Sequence, residues 1–206
     1  YSFSTVSTKE YYTKLWAGST ESGTEVKNDN VAVASTTVNS GSGATFNGYI
    51  RLPKFPSTAI SFSSSAGTIS NASAATNTSG KGTYTLTLTA AQVKQLCGSN
   101  GQGSVNIYAQ INGATLTVGT ATVAVKYKVT FDANGGTGAP GAQYVAHGGT
   151  FAFPAAPTKQ NYTFNGWSQN SSAASGHAVG ATSPAVTSDI TYYATWKQNV
   201  TYYTIK

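Results

Sequence analysis

Thr83-Tyr-Thr-Leu-Thr-Leu-Thr89 alternates without a break. Successive side chains on a strand point to opposite faces, so Tyr84, Leu86 and Leu88 share one face and four threonines the other. A segment of this kind is stable only with its apolar face against another layer. The same period of two recurs in Val31–Val38, Thr45–Leu52, Ala59–Phe62, Ser104–Ile111 and Thr115–Val125. Asn112-Gly113 separates the last two runs and suits a hairpin turn with positive φ at both central positions. Ser63–Gly82 is rich in Ser, Ala, Asn and Thr and reads as a loop enclosing a weak strand. The pattern predicts a mainly β chain.

One segment breaks the alternation. Thr89-Ala-Ala-Gln-Val-Lys-Gln-Leu-Cys97 reads as a short helix, with Thr89 as N-cap and Gln92 completing a capping box. Val93, Leu96 and Cys97 form its narrow apolar stripe. Gly98 stands where a helix end favours a left-handed residue.

Composition narrows the class further. Of 206 residues, 31 are Thr and 24 Ser, and only 9% are charged, against roughly 25% in an average soluble protein. Glu, Lys, Leu and Ala do not dominate, which excludes a coiled coil. Cys97 is the sole cysteine, which excludes a disulfide framework. No apolar run approaches the ~20 residues of a membrane-spanning helix, so membrane insertion is not expected. Abundant Thr, Val, Tyr and Ile argue against disorder. The net charge of +6 is spread over scattered lysines and one arginine, Arg51. Nucleic-acid binding calls for clustered bases interleaved with aromatics and is not expected. Lys9–Trp16 comes nearest, but reads better as a strand with Tyr and Trp packed on the core. A chain opening at Tyr1 without Met is expected to be a processed product or an excised piece, and processing implies export. The expected location is therefore extracellular, at the cell surface.

Near residue 126 the composition shifts, as prolines, Gly-Gly pairs, Trp167 and Trp196 appear. Three regions are expected: 1–126, 127–197 and a strand-like tail, 198–206. In the second, Val129 and Phe131 alternate towards a core and Asn134-Gly-Gly136 turns the chain. Pro154 and Pro157 set an extended crossing. Gly166 allows close backbone approach beside Trp167, and Ile190, Tyr192, Ala194 and Trp196 share one face of the last strand. Tyr127-Lys-Val-Thr-Phe-Asp-Ala-Asn-Gly-Gly136, Gln143–Gly149, Pro154–Thr158, Asn161-Tyr-Thr-Phe-Asn-Gly-Trp167 and Ser188–Lys197 follow one another in an order that resembles the Listeria–Bacteroides repeat, the B-repeat of bacterial surface internalins. His147, where the family often has Tyr, and the stretch Ser171–Gly180 depart from its pattern. The resemblance implies a small ubiquitin-like β-grasp module of exported, wall-associated proteins, with no catalytic activity. In the first region, Gly82–Leu96 followed by Gly103–Gly113 resembles the second half of bacterial Ig-like adhesin repeats, which implies an Ig-like β-sandwich.

No catalytic set assembles on paper. The six carboxylates are Glu10, Glu21, Glu25, Asp29, Asp132 and Asp189; Glu21 and Glu25 read as a solvated loop. His147 and His177 each sit beside glycine, and no nucleophile elbow supports a triad. Asp132-Ala-Asn-Gly-Gly lacks the alternating acids of a calcium loop, and two histidines and one cysteine far apart give no zinc spacing. No catalytic, cofactor or metal residues are assigned. Thirteen tyrosines keep glycan stacking open, beside the plainer reading of strand propensity. The two ends carry the candidate inter-subunit strands: Tyr1, Phe3 and Val6 at one, Val200, Tyr202, Tyr203 and Ile205 at the other. The expectation is a secreted, non-enzymatic surface protein. It is a filament subunit that self-associates by strand exchange, as in donor-strand complementation, or an adhesin stalk segment. The alternative is an adhesive module recognising a host protein or glycan.

Overall fold

A computed structural model describes residues 10–27 and 31–200. The protein is mainly β and divides into two compact units, one ending at Val125 and the other beginning at Lys126. The first unit contains β1 (Tyr12–Ala17), β2 (Val26–Lys27), β3 (Ala32–Asn39), β4 (Ala44–Arg51), β5 (Ser61–Ser64), β6 (Thr68–Ser70) and β7 (Lys81–Leu88). They are followed by α1 (Ala90–Cys97), β8 (Gln102–Ile111) and the start of β9 (Ala114–Asp132). The second unit takes the rest of β9, then β10 (Gln143–Ala146), β11 (Tyr162–Ser168) and β12 (Ile190–Gln198).

The strands of the first unit lie in two sheets. One runs β2-β1-β4-β7-β6, and the other contains β3, β9, β8 and β5, with β3 and β8 both paired to β9. The two sheets meet face to face. Tyr84 of β7 packs its ring 4.9 Å from that of Phe62 on β5. A methyl group on Gly119 of β9 would lie 3.0 Å from Leu15 of β1. Between the layers sit Phe46, Ile50, Leu86, Leu88, Val105, Ile107 and Val118, all essentially without exposure. Each alternates with a polar neighbour, as a half-buried strand requires. The result is a β-sandwich, consistent with the Ig-like class expected from the sequence.

The connection from β7 to β8 is helical for the reason the sequence offers. Thr89 Oγ1 accepts from the Gln92 N–H at 3.2 Å, and Gln92 Oε1 accepts from the Thr89 N–H at 2.9 Å. Val93 and Cys97 are the buried residues of α1. Its end differs from expectation. Gly98 has φ 46 but ψ −137, and a 3₁₀ turn, Gly98–Asn100, carries the chain on to Gly101, which holds the left-handed conformation. Asn112 and Gly113 both have positive φ in the turn between β8 and β9. The weak strand expected inside Ser63–Gly82 is β6, which pairs with β7.

β1 corrects one expectation. Thr13 and Leu15 point inward, so Tyr12 and Trp16 lie on the opposite, outer face and do not pack on the core. Tyr11 is buried instead.

In the second unit the strand order is β10-β9-β12-β11. The central β9–β12 pair is parallel, from Ile190 opposite Val129 to Tyr193 opposite Asp132, and the outer pairs are antiparallel. Val129, Phe131, Phe153, Trp167, Val186, Tyr192 and Ala194 form its core. Phe131 meets Trp167 and Phe151 edge to face at 5.1 and 5.8 Å, arrangements that aromatic quadrupoles favour. Trp167 is fully buried, and its indole N–H donates to the Pro154 carbonyl at 3.1 Å. The extended Pro154–Pro157 crossing thus supplies an acceptor inside a core that offers few.

Candidate interaction surfaces

The carboxylates of the described residues are all engaged in structural bonds. Glu10 pairs with Lys54 at 2.6 Å and Glu21 with Lys14 at 2.8 Å. Asp132 Oδ1 accepts from the Asn134 N–H, and Asp189 Oδ1 from the Lys128 N–H. Glu25 takes two partners: Arg51 Nη2 and the Tyr49 hydroxyl each donate to it at 2.6 Å. The Arg51 hydrogen bond holds the Glu25 carboxyl below its ordinary range, with a smaller lowering from Tyr49. The Tyr49 hydroxyl is pushed up to about 12, first by burial and then by Glu25. Asp29 lies outside the described residues.

Among the described residues no nucleophile stands ready beside a base. Cys97 is buried and its thiol reaches the Val123 carbonyl at 3.5 Å. Burial pushes that thiol up, which disfavours the reactive thiolate. His177 stacks on Phe153 at 4.6 Å, and His147 leans on Tyr127 at 5.9 Å. Among the described residues no three His, Cys, Asp or Glu side chains gather as a metal site would need.

What the first unit does present is an outer sheet face and several edges. Register places Lys27, Tyr12, Arg51 and Lys81 side by side across β2, β1, β4 and β7. Arg51 covers the Tyr12 ring at 4.0 Å and Lys81 the Tyr49 ring at 4.0 Å. Sequence reasoning missed this cluster. Tyr49 and Arg51 lie on the outer parity of β4, opposite Ile50, but nothing in the chain before them signals that a two-residue strand would bring Glu25 alongside.

The edges are unequal. β2 and β6 border one sheet with two and three residues, and β5 borders the other with four. β3 has eight, Ala32–Asn39, with no charge, proline or glycine, and Val33 is 68% exposed. Among the described residues its only strand partner is β9. In the second unit, the outer side of β11 is bonded by the returning chain: the Gly176 N–H reaches the Asn165 carbonyl, and Trp167 and His177 exchange two bonds.

Of the candidate inter-subunit residues, Tyr1, Phe3, Val6, Tyr202, Tyr203 and Ile205 lie outside the described residues. Val200 follows β12 and is 69% exposed. Just before it, the Asn199 N–H donates to the Asn161 carbonyl, and Asn199 Oδ1 accepts from Thr163 at 2.7 Å.

The second unit carries a Listeria-Bacteroides repeat domain, whose family model matches residues 127–195. No curated protein matches the chain. Among solved structures, it is similar to the C-terminal 282-residue fragment of intimin, crystallised with the intimin-binding domain of the translocated intimin receptor. Identity is 17%, and the similarity covers 80% of this chain and 61% of that fragment, with a TM-score of 0.34.

Proposed function

We propose that the chain is a non-catalytic structural segment of a bacterial surface protein of the adhesin type. It serves as a stalk piece or filament subunit that joins its neighbours by strand pairing outside the cell. The observation that carries this reading is β3. A long, uncharged edge is a template for another strand, and proteins that stay monomeric blunt such edges with charge, proline or brevity. The other edges of the first unit are brief; β3 is not. The Listeria-Bacteroides repeat in the second unit supports a surface setting. We read that unit as a β-grasp variant. Its parallel central pair between antiparallel neighbours supports this, with an extended crossing from β10 to β11 where ubiquitin-like folds place a helix. On this reading the donor strand comes from the chain ends, Tyr1–Val6 or Val200–Ile205, of a second copy, and a head-to-tail contact of this sort grows into a filament.

Negative-stain microscopy of the purified chain beside a Val33→Lys, Thr37→Lys double variant tests the proposal. Both positions are exposed, so the variant keeps its core. Filaments or head-to-tail oligomers in the wild type, lost in the variant, support it. Monodisperse monomers in both overturn it.

A further inference from the structure

The outer face of β2-β1-β4-β7 breaks a local rule of sheet design. Arg51 and Lys81 stand directly opposite each other on β4 and β7, and like charges so placed destabilise a sheet. Lys27 extends the same row beyond Tyr12. Neighbouring strands lie about 4.8 Å apart, so the row runs about 14 Å across the face. Lys14 lies on the same face, opposite Tyr49 on β4. Lys54 lies just beyond β4, paired with Glu10. Among the described residues five cations thus meet three carboxylates, Glu10, Glu21 and Glu25, each taken by Lys54, Lys14 or Arg51. Among the described residues neither Lys27 nor Lys81 is in a direct ion pair; each leans towards a tyrosine ring.

We propose that this row binds a linear sulfated glycan. A pyranose ring advances such a chain by roughly the interval between neighbouring strands, about 5 Å, so sulfates on the first, third and fourth rings can meet Lys27, Arg51 and Lys81, with the second ring over Tyr12. Glu25 already offsets the charge of Arg51, so the bound sulfates mainly answer Lys27 and Lys81. A sulfated sugar fits better than a nucleic acid. Single strands are held by stacking bases on open aromatic faces, and here Arg51 covers Tyr12 while Tyr49 is only 7% exposed. A flat sheet face also has no element to enter a duplex groove. The inference rests on the surface-protein reading and not on strand pairing along β3, so failure to bind glycan and failure to form filaments are separate results.

The test is affinity for heparin oligosaccharides at near-physiological salt. It compares wild type, Lys27→Gln/Lys81→Gln, and Lys94→Gln/Lys126→Gln, a charge-matched control at two exposed lysines that are not part of the row. Binding is expected to fall tenfold or more in the first variant and less than twofold in the control. The slope of log affinity against log salt is expected to flatten by about two in the first variant. Equal losses in both variants reduce the effect to overall positive charge and overturn the proposal. So does equal binding of desulfated heparin, tighter binding of DNA with the same dependence on Lys27 and Lys81, or no binding by the wild type.

Discussion

The Tyr49 hydroxyl donates a 2.6 Å hydrogen bond to Glu25 Oε2, tying the residue before β2 to the outer face of β4 two strands away. Arg51 grips the other oxygen of the same carboxylate. The two contacts fasten the short edge strand β2 to a sheet that its two residues alone would hold weakly.

That fastening is pH-dependent at both ends. The folded state lowers the Glu25 pKa from 4.5, mainly through Arg51. The resulting stability is full above the unfolded value and is lost as pH falls through the depressed one. At the alkaline end, Tyr49 moves from 10.0 to about 12. Its contribution is full below 10 and fades as pH rises towards 12. Thermal unfolding followed against pH is expected to lose Tm on both flanks. Glu25→Gln should flatten the acid flank, by an amount at the modest level of a partly exposed pair, up to about 1 kcal/mol. An acid flank unchanged by Glu25→Gln contradicts the assignment.

Gly166 and Gly176 face each other where β11 bulges. Gly166 has φ 114, and a methyl group there would collide with the Gly176 carbonyl. A methyl group on Gly176 would collide with the Trp167 backbone. Gly166→Ala therefore combines backbone strain with a clash against main chain that cannot swing aside. A loss of about 1–3 kcal/mol from strain alone is expected in denaturant titration of the second unit. An alanine variant as stable as wild type removes the close approach from the account.

The two tryptophans on β1 and β11 make a contrast. Trp167 is fully buried and central to its core, so Trp167→Ala is expected to cost about 3–5 kcal/mol. Trp16 lies half-buried on the outer face, 6.5 Å from Tyr49 and edge-on to it. Truncation there leaves no internal cavity, so Trp16→Ala is expected to cost much less. Equal losses would place Trp16 in a core after all.

These contrasts mark how far the fold is legible in the sequence. Strands such as Thr83–Thr89 declare themselves because one face is buried and the other wet. The capping box of α1 is equally local, with Thr89 and Gln92 three residues apart. β1 is only half legible: both parities of Tyr11–Trp16 carry aromatics, so alternation alone does not say which face is inward, and Thr13, with its hydroxyl accepting from the Ala32 N–H at 3.3 Å, takes the inner place. The cation row is illegible for a different reason. It arises from register among four strands separated by up to 69 positions of chain, from Tyr12 to Lys81. No local pattern encodes that register.

The repeat was readable because its landmarks, Asp132-Ala-Asn-Gly-Gly136, Gly166-Trp167 and Tyr192–Trp196, serve one small core. Asn134 shows the economy. Its side-chain amide donates to the Ala194 carbonyl at 2.9 Å and to the Ser171 carbonyl at 2.7 Å, and the Trp196 indole N–H returns to Ala133 at 3.0 Å. Asn134→Ala leaves the part-buried Ala194 carbonyl on β12 without this donor, at a cost of about 1–3 kcal/mol, while water replaces the exposed bond to Ser171. Asn134→Asp is expected to lose nearly as much, because it exchanges two donors for acceptors that face those carbonyls. Denaturant midpoints of the two variants check this, and an aspartate variant at wild-type stability counts against it.

Amide hydrogen exchange across β3, measured over a range of protein concentrations, is the most direct probe of strand pairing between copies. The account predicts that protection of Ala32–Asn39 rises with concentration and that Val33→Lys with Thr37→Lys abolishes the rise. Protection that is the same at every concentration, in wild type and variant alike, would contradict it.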